Sequence, residues 1–219
     1  MYKLTRLIHL ASGLDDTRID ALMARLHETL DGAERGIVER TLPGSRNGGD
    51  LLLHAAFVTQ AARENANALT EQVFSGVQIT HVDGVDYHTD RHPTPDSSGS
   101  VYRTLLLAVA PHTPEADIAR FESDLLLMPQ FVSTITACEL NRPSRTLGAS
   151  RWTHVFEQEF TDEAGLLGAY LMHPVHWGLV DRWFDPECPE VIVRERICHS
   201  YCRCDGPVLA TDRRSASEP

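Results

Sequence analysis

With 219 residues, 42% hydrophobic, 23% charged and 7% aromatic, the chain suits one large globular domain or two small ones and is too evenly mixed for a fibrous or disordered protein. Lys and Arg total 20 against 31 Asp and Glu, a formal charge of −11 that repels phosphate backbones, so nucleic acid is not expected as a partner. No run of about 18 apolar residues is present, which argues against a membrane helix, and the start reads as no export signal. Cys138, Cys188, Cys198, Cys202 and Cys204, odd in number and clustered late, read as reduced thiols of a cytoplasmic protein.

The first predicted element is a strand over residues 3–11. Asp15 or Asp16 then caps a helix over 18–30 with Ile19, Leu22, Met23, Leu26 and Leu30 at helical spacing. Strands follow at 36–42 and 50–57, separated by the glycine-rich 44–49. That loop lacks the terminal Lys and Ser/Thr of a phosphate loop and reads as a hairpin turn. A helix over 59–73 and a strand over 77–82 complete the first unit. Residues 89–100 contain Pro, Ser and Gly but no aliphatic side chain and read as a linker. The second unit repeats the order: a strand over 101–110, a helix opened by Thr113, Pro114 and Glu115 and running to about Leu127, and strands over 131–140 and 151–160. A helical segment and a last strand over 191–199 follow. The β-α-β-β-α-β order is ferredoxin-like. The expected organisation is a first domain over 1–88, the linker 89–100, a second domain over 101–204 and a flexible tail over 205–219. The fold is α+β: two fused ferredoxin-like units whose sheets pack face to face as a pseudo-dimeric α/β barrel within one chain.

The chemistry-bearing residues concentrate in the second unit. Alternation along 151–160 places Trp152, His154, Phe156 and Phe160 on one face and Glu157 and Glu159 on the other. Thr161 caps the next helix, which Pro174 interrupts near His173. Beyond that break His176 shares a stripe with Val180 and Trp183, and Tyr170 approaches from the other side. A phenol and one or two imidazoles in an apolar pocket suit proton transfer, because desolvation keeps imidazole neutral and a phenol donates to a developing oxyanion. Each also has a structural reading: His154 and His176 as core histidines bonded to backbone, His173 as the residue that turns the chain before Pro174. A metal set of His173, His176 and His154 or Glu157 is disfavoured because Glu157 points away from His154. Arg142, Arg145 and Arg151 read as solvated loop residues.

The Thr153, His154, Val155 strand, followed by Tyr170, Leu171, Met172, His173, Pro174, Val175, His176 and a Trp-containing helix, resembles the stress-responsive dimeric α/β-barrel family over nearly all of 101–201. The first half resembles it only through element order and the stretch 49–57. Single-domain members pair as homodimers, so the resemblance implies that the pairing here is internal, with room for a further homodimer. Polyketide cyclases of the family close a linear substrate by an aldol-type step without metal or organic cofactor. By that resemblance His176 is the catalytic histidine, Tyr170 its phenol partner and His154 the strand histidine. Trp152, Phe156, His173 and Trp177 would line the substrate pocket. Where those cyclases carry a histidine on the first strand, this sequence has Thr104, and its first half has no His-Pro-x-His.

These observations together predict a cofactor-independent lyase or cyclase acting on a small aromatic or polyketide-like carbonyl compound, with no metal and no membrane or nucleic-acid partner. Two alternatives are carried forward: a non-catalytic small-ligand binder or stress-linked structural protein, and a haem- or metal-dependent oxygenase on a related barrel.

Overall fold

The computed structural model describes residues 1–90 and 99–209; residues 91–98 of the predicted linker and 210–219 of the predicted tail lie outside them. The first half runs β1 (Tyr2–Leu10), α1 (Asp16–Glu28), β2 (Arg35–Arg40), β3 (Leu51–Phe57), α2 (Gln60–Phe74) and β4 (Ile79–His88). The second runs β5 (Val101–Leu107), α3 (Glu115–Phe131), β6 (Ile135–Asn141), β7 (Arg145–Leu147), β8 (His154–Phe160), a broken helical segment and β9 (Cys198–Arg203). Asp15 caps α1 by accepting from the Arg18 amide at 2.9 Å, and Thr59 caps α2 by accepting from the Ala62 amide at 3.2 Å.

Both sheets are antiparallel and share one plan. The first is ordered β2-β3-β1-β4-β7 and the second β6-β8-β5-β9. Each takes its outermost segment from the other half. β7 leaves the second half to pair with β4, and the stretch after β2 reaches β9, where Leu42 donates to the Tyr201 carbonyl and Arg46 exchanges both backbone hydrogen bonds with His199. Gly49 (φ +75°) permits the return. A Cβ there would stand 2.6 Å from the Ile8 amide nitrogen, so no side chain fits beside β1.

The central strands β1, β3, β5 and β8 bury both faces. In β1, Leu4 and Ile8 pack with Leu22 and Leu26 of α1, while Leu7 faces the second sheet. In β5, Leu105 and Leu107 pack under α3, and Tyr102 and Leu106 meet Leu52, Val85 and Tyr87 of the first sheet. The apolar cluster between the sheets therefore draws on both halves, which makes the architecture a barrel closed within one chain.

The barrel interior also holds a polar cluster that strand parity did not reveal. The Lys3 ammonium lies 2.8 Å from Glu139 and 4.0 Å from Glu157. The Tyr102 hydroxyl donates to Glu157 and sits 3.1 Å from His54 Nδ1, which is 3.0 Å from the Thr5 hydroxyl. Burial, then the Lys3 charge, pushes the His54 pKa well below its ordinary value, while burial and the Glu157 charge push Tyr102 up.

Several element limits differ from the prediction for local reasons. α3 continues to Phe131 with Pro129 in its last turn, so Phe131 is helical rather than the start of a strand. β8 begins at His154, and the preceding Trp152 and Thr153 do not follow its alternation. Residues 191–197 form no ladder: the Ile192 and Val193 amides both bond to the Trp183 carbonyl, and β9 starts at Cys198. Val208 and Leu209, in the predicted tail, are buried with their amides on Glu159.

Candidate functional site

A cleft of about 460 Å³ opens between the outer face of the second sheet and the broken helical segment, within the size range of small-molecule sites. Leu105, Leu125, Phe156, Val180 and Phe184 supply apolar wall. The helical segment consists of π-helical turns at Gly165–Tyr170 and His176–Val180 and a 3-10 turn at Asp181–Trp183. The break falls between them, where the Val175 amide donates to His173 Nδ1 at 3.2 Å. Pro174 has no amide to continue a helical ladder, and the widened turns on either side bring Tyr170 and His176 onto the same cleft.

Tyr170 and His176 meet edge to face with ring centroids 4.8 Å apart. The Tyr170 hydroxyl accepts from Arg103 Nη1 at 3.1 Å, which leaves its own proton to donate. Burial raises the Tyr170 pKa, with Arg103 opposing, so the phenol stays protonated near neutrality. Burial lowers the His176 pKa, while Asp181, whose Oδ1 lies 3.4 Å from Nδ1, pulls it back. The ring is thus mostly neutral at pH 7, and its Nε2 makes no hydrogen bond among the described residues. A neutral imidazole beside a protonated phenol is a matched base and acid.

Sequence reasoning missed Arg103 and His199. Arg103 is the charged β5 residue that faces the cleft, beside Leu105; Thr104, the position compared with the cyclases' strand histidine, points into the barrel and is fully buried. Arg103 donates through Nη1 to Gln158 and through Nε to His199 Nε2 at 2.8 Å. Receiving that bond holds the His199 ring neutral, and burial beside Arg103 pushes its pKa down to about 3. Signals existed: an arginine inside an otherwise apolar strand, and a histidine in a row of cysteines.

Other predicted site residues fall elsewhere. Phe156 lines the cleft. His154 does not: it is buried under α3, 2.8 Å from the Thr153 hydroxyl and 3.0 Å from Glu122, with its ring edge-on to Phe121, so it ties strand to helix. Burial lowers its pKa against the pull of Glu122. Trp152 precedes β8 and packs in the inter-sheet cluster, its indole N–H on the Leu147 carbonyl. Trp177 is 54% exposed and bonds the Leu171 carbonyl. His173 anchors the turn at the break. His154 as an orienting partner, and Trp152, Trp177 and His173 as pocket lining, are therefore corrected. Among the described residues no group of three His, Cys, Asp or Glu side chains is arranged to hold a metal ion.

The lowered histidine pKa at the cleft has a measurable consequence. Unfolded His199 takes up a proton near pH 6.5, whereas the folded ring resists protonation until about pH 3. Its stabilising contribution is complete above pH 6.5 and is lost as pH falls from there toward 3. Thermal melts across this window should show a steep decline in Tm for the native protein and a shallower one for His199→Gln. Equal slopes would show that the ring titrates normally.

Comparison with known proteins finds a family match over the half that carries the cleft. Residues 101–198 match the family model of the stress responsive A/B barrel domain, Dabb. This half is similar to a Dabb domain. Solved structures extend the fold likeness across nearly the whole chain. An anthrone oxidase-like protein superimposes with a TM-score of 0.65 at 11% identity, covering 99% of this chain and 96% of that one. A proposed monooxygenase from Lactobacillus acidophilus gives 0.53 at 9% identity, over 95% and 97%. A variant of the chlorite dismutase of Candidatus Nitrospira defluvii gives 0.53 at 10% identity, over 92% and 90%. At these identities the likeness speaks to fold alone. No curated protein matches the sequence significantly. Among the described residues no helix is long and apolar enough to cross a membrane.

Proposed function

We propose that the chain is an enzyme whose Dabb half performs acid–base chemistry on a small carbonyl compound, a lyase or cyclase that uses no cofactor. The observation that carries this reading is the Tyr170–His176 pair, held in a cleft of ligand size with Arg103 bonded to the phenol. His176 Nε2 takes a proton from the carbon next to the carbonyl. The electron pair of that C–H bond moves into an enolate, whose oxygen receives a hydrogen bond from Tyr170. The enolate carbon then attacks a second carbonyl of the same substrate to form a C–C bond, and protonated His176 returns the proton to the new alkoxide. Proton and charge are balanced without an external reagent. The apolar wall of Leu105, Leu125 and Phe156 suits an aromatic or polyketide-like body. The first half is proposed as a fused partner standing where a second copy would stand in a homodimer, in a cytoplasmic protein with no nucleic-acid or membrane partner.

The proton-abstraction step can be tested before the substrate is known. In D2O the protein should accelerate exchange of the activated α-protons of 1,3-dicarbonyl and linear polyketide-like compounds, followed by NMR. No acceleration over buffer across such a panel would remove the enzymatic reading. Saturable binding without exchange would favour the non-catalytic ligand binder, and a purified protein that carries haem or metal would favour the oxygenase.

A further inference from the structure

The cleft contains a buried guanidinium without a counter-charge. Arg103 is 4% exposed and its hydrogen-bond partners among the described residues are all neutral: Gln158, the Tyr170 hydroxyl and the His199 ring. Its Nη2 makes no hydrogen bond among the described residues, and no carboxylate pairs with it there. Every other deeply buried arginine among the described residues is neutralised. Arg6 and Arg63 share Asp86, and Arg145 at the rim of that cluster is bonded to Glu71. Of the arginines at the mouth of the cleft, Arg196 is bound to Asp83 at 2.7 Å and Arg194 folds back on the Val191 carbonyl. Arg46, delivered from the first half by the segment that pairs with β9, is exposed and has no ion pair among the described residues. Among the residues lining the cleft, the acids Asp181 and Glu195 stand against four arginines, in a chain whose overall charge is −11.

Leaving a buried cation uncompensated is costly, and a protein retains one where a ligand supplies the missing charge. A guanidinium also presents its N–H groups in a planar fork that matches the two oxygens of a carboxylate. Resting on the reading of this cleft as the active site, we infer that the substrate is an organic acid, a carbonyl compound whose carboxylate sits on the free edge of Arg103 with Arg46 closing over it from the first half. A carboxylate there places the neighbouring α-carbon and carbonyl oxygen toward His176 and Tyr170, as in a β-keto acid. The first half thereby becomes part of the substrate site as well as part of the fold, and Arg46 becomes a specificity residue.

Binding of salicylate and of its neutral isostere salicylamide to the whole protein, followed by calorimetry and thermal shift, tests the charge requirement. The acid should bind at least about 10-fold more tightly than the amide, and that preference should vanish in Arg103→Gln and fall several-fold in the exposed variant Arg46→Ala. His176→Ala should retain the preference, which separates this inference from the catalytic one: exchange lost with binding kept leaves the inference standing. Equal affinity for acid and amide, or an unchanged preference in both arginine variants, would overturn it. If Arg103→Gln fails to fold, Arg46→Ala and the acid–amide comparison decide the matter. Inorganic phosphate serves as the control for a simple anion site; phosphate matching salicylate in affinity would also overturn the assignment to a carboxylate.

Discussion

His176→Ala should lower turnover of any carbonyl substrate by about 100-fold or more while leaving the fold intact. The ring is only partly buried, and its closest charged contact, Asp181, is half exposed, so its loss opens little core. What disappears is the one base on the cleft that is both neutral and free at Nε2; His199 is occupied by Arg103 and held too acidic to substitute. Tyr170→Phe keeps the edge-to-face packing and deletes only the donor, so it should cost about 100-fold in kcat with a smaller change in KM. The comparison that decides is α-proton exchange in D2O, because it isolates proton abstraction from C–C bond formation. A His176→Ala protein that exchanges at the native rate would take His176 out of the role of base.

The second large effect lies inside the barrel. Lys3→Met should destabilise the protein by about 3–5 kcal/mol, because it removes the ammonium from beside Glu139 and Glu157 in a space without water access. The pairing spans 136 residues and joins the two sheets, so the loss should appear as a lower urea midpoint for the whole chain, not as fraying of one half. A variant as stable as the parent at neutral pH would mean that the ammonium is not needed to hold these carboxylates in the barrel.

The fold was legible because its signals are local: a capping residue at Asp15, apolar spacing along α1, and two passes through one element order. The Tyr170–His176 pair was legible because Pro174 marks the break that brings them together. His154 was misplaced through a different kind of inference. Strand alternation correctly put it on the helix-covered face with Phe156, but that face is long, and Glu122 of α3 claims its end before the cleft begins. Trp152 failed because alternation was extended past the start of β8. Arg103 was hidden in an apolar run whose inward and outward positions only the packed sheets define. Arg46 depends on a crossing between halves that no local pattern encodes. Lys3, His54 and Glu157 were hidden likewise, since their company is set by sheet-on-sheet contact.

The exchange of outermost segments between the sheets bears on how this chain is born. During synthesis the first four strands emerge and can pair while β7, which flanks β4, is still more than fifty residues from being made. Until Arg145–Leu147 arrives, β4 presents a bare hydrogen-bonding edge, the kind of surface on which nascent chains pair with one another. Completion of the C-terminal half therefore does more than add a second sheet. It shields the first one, so the hazard of self-association is concentrated in the interval between the two halves.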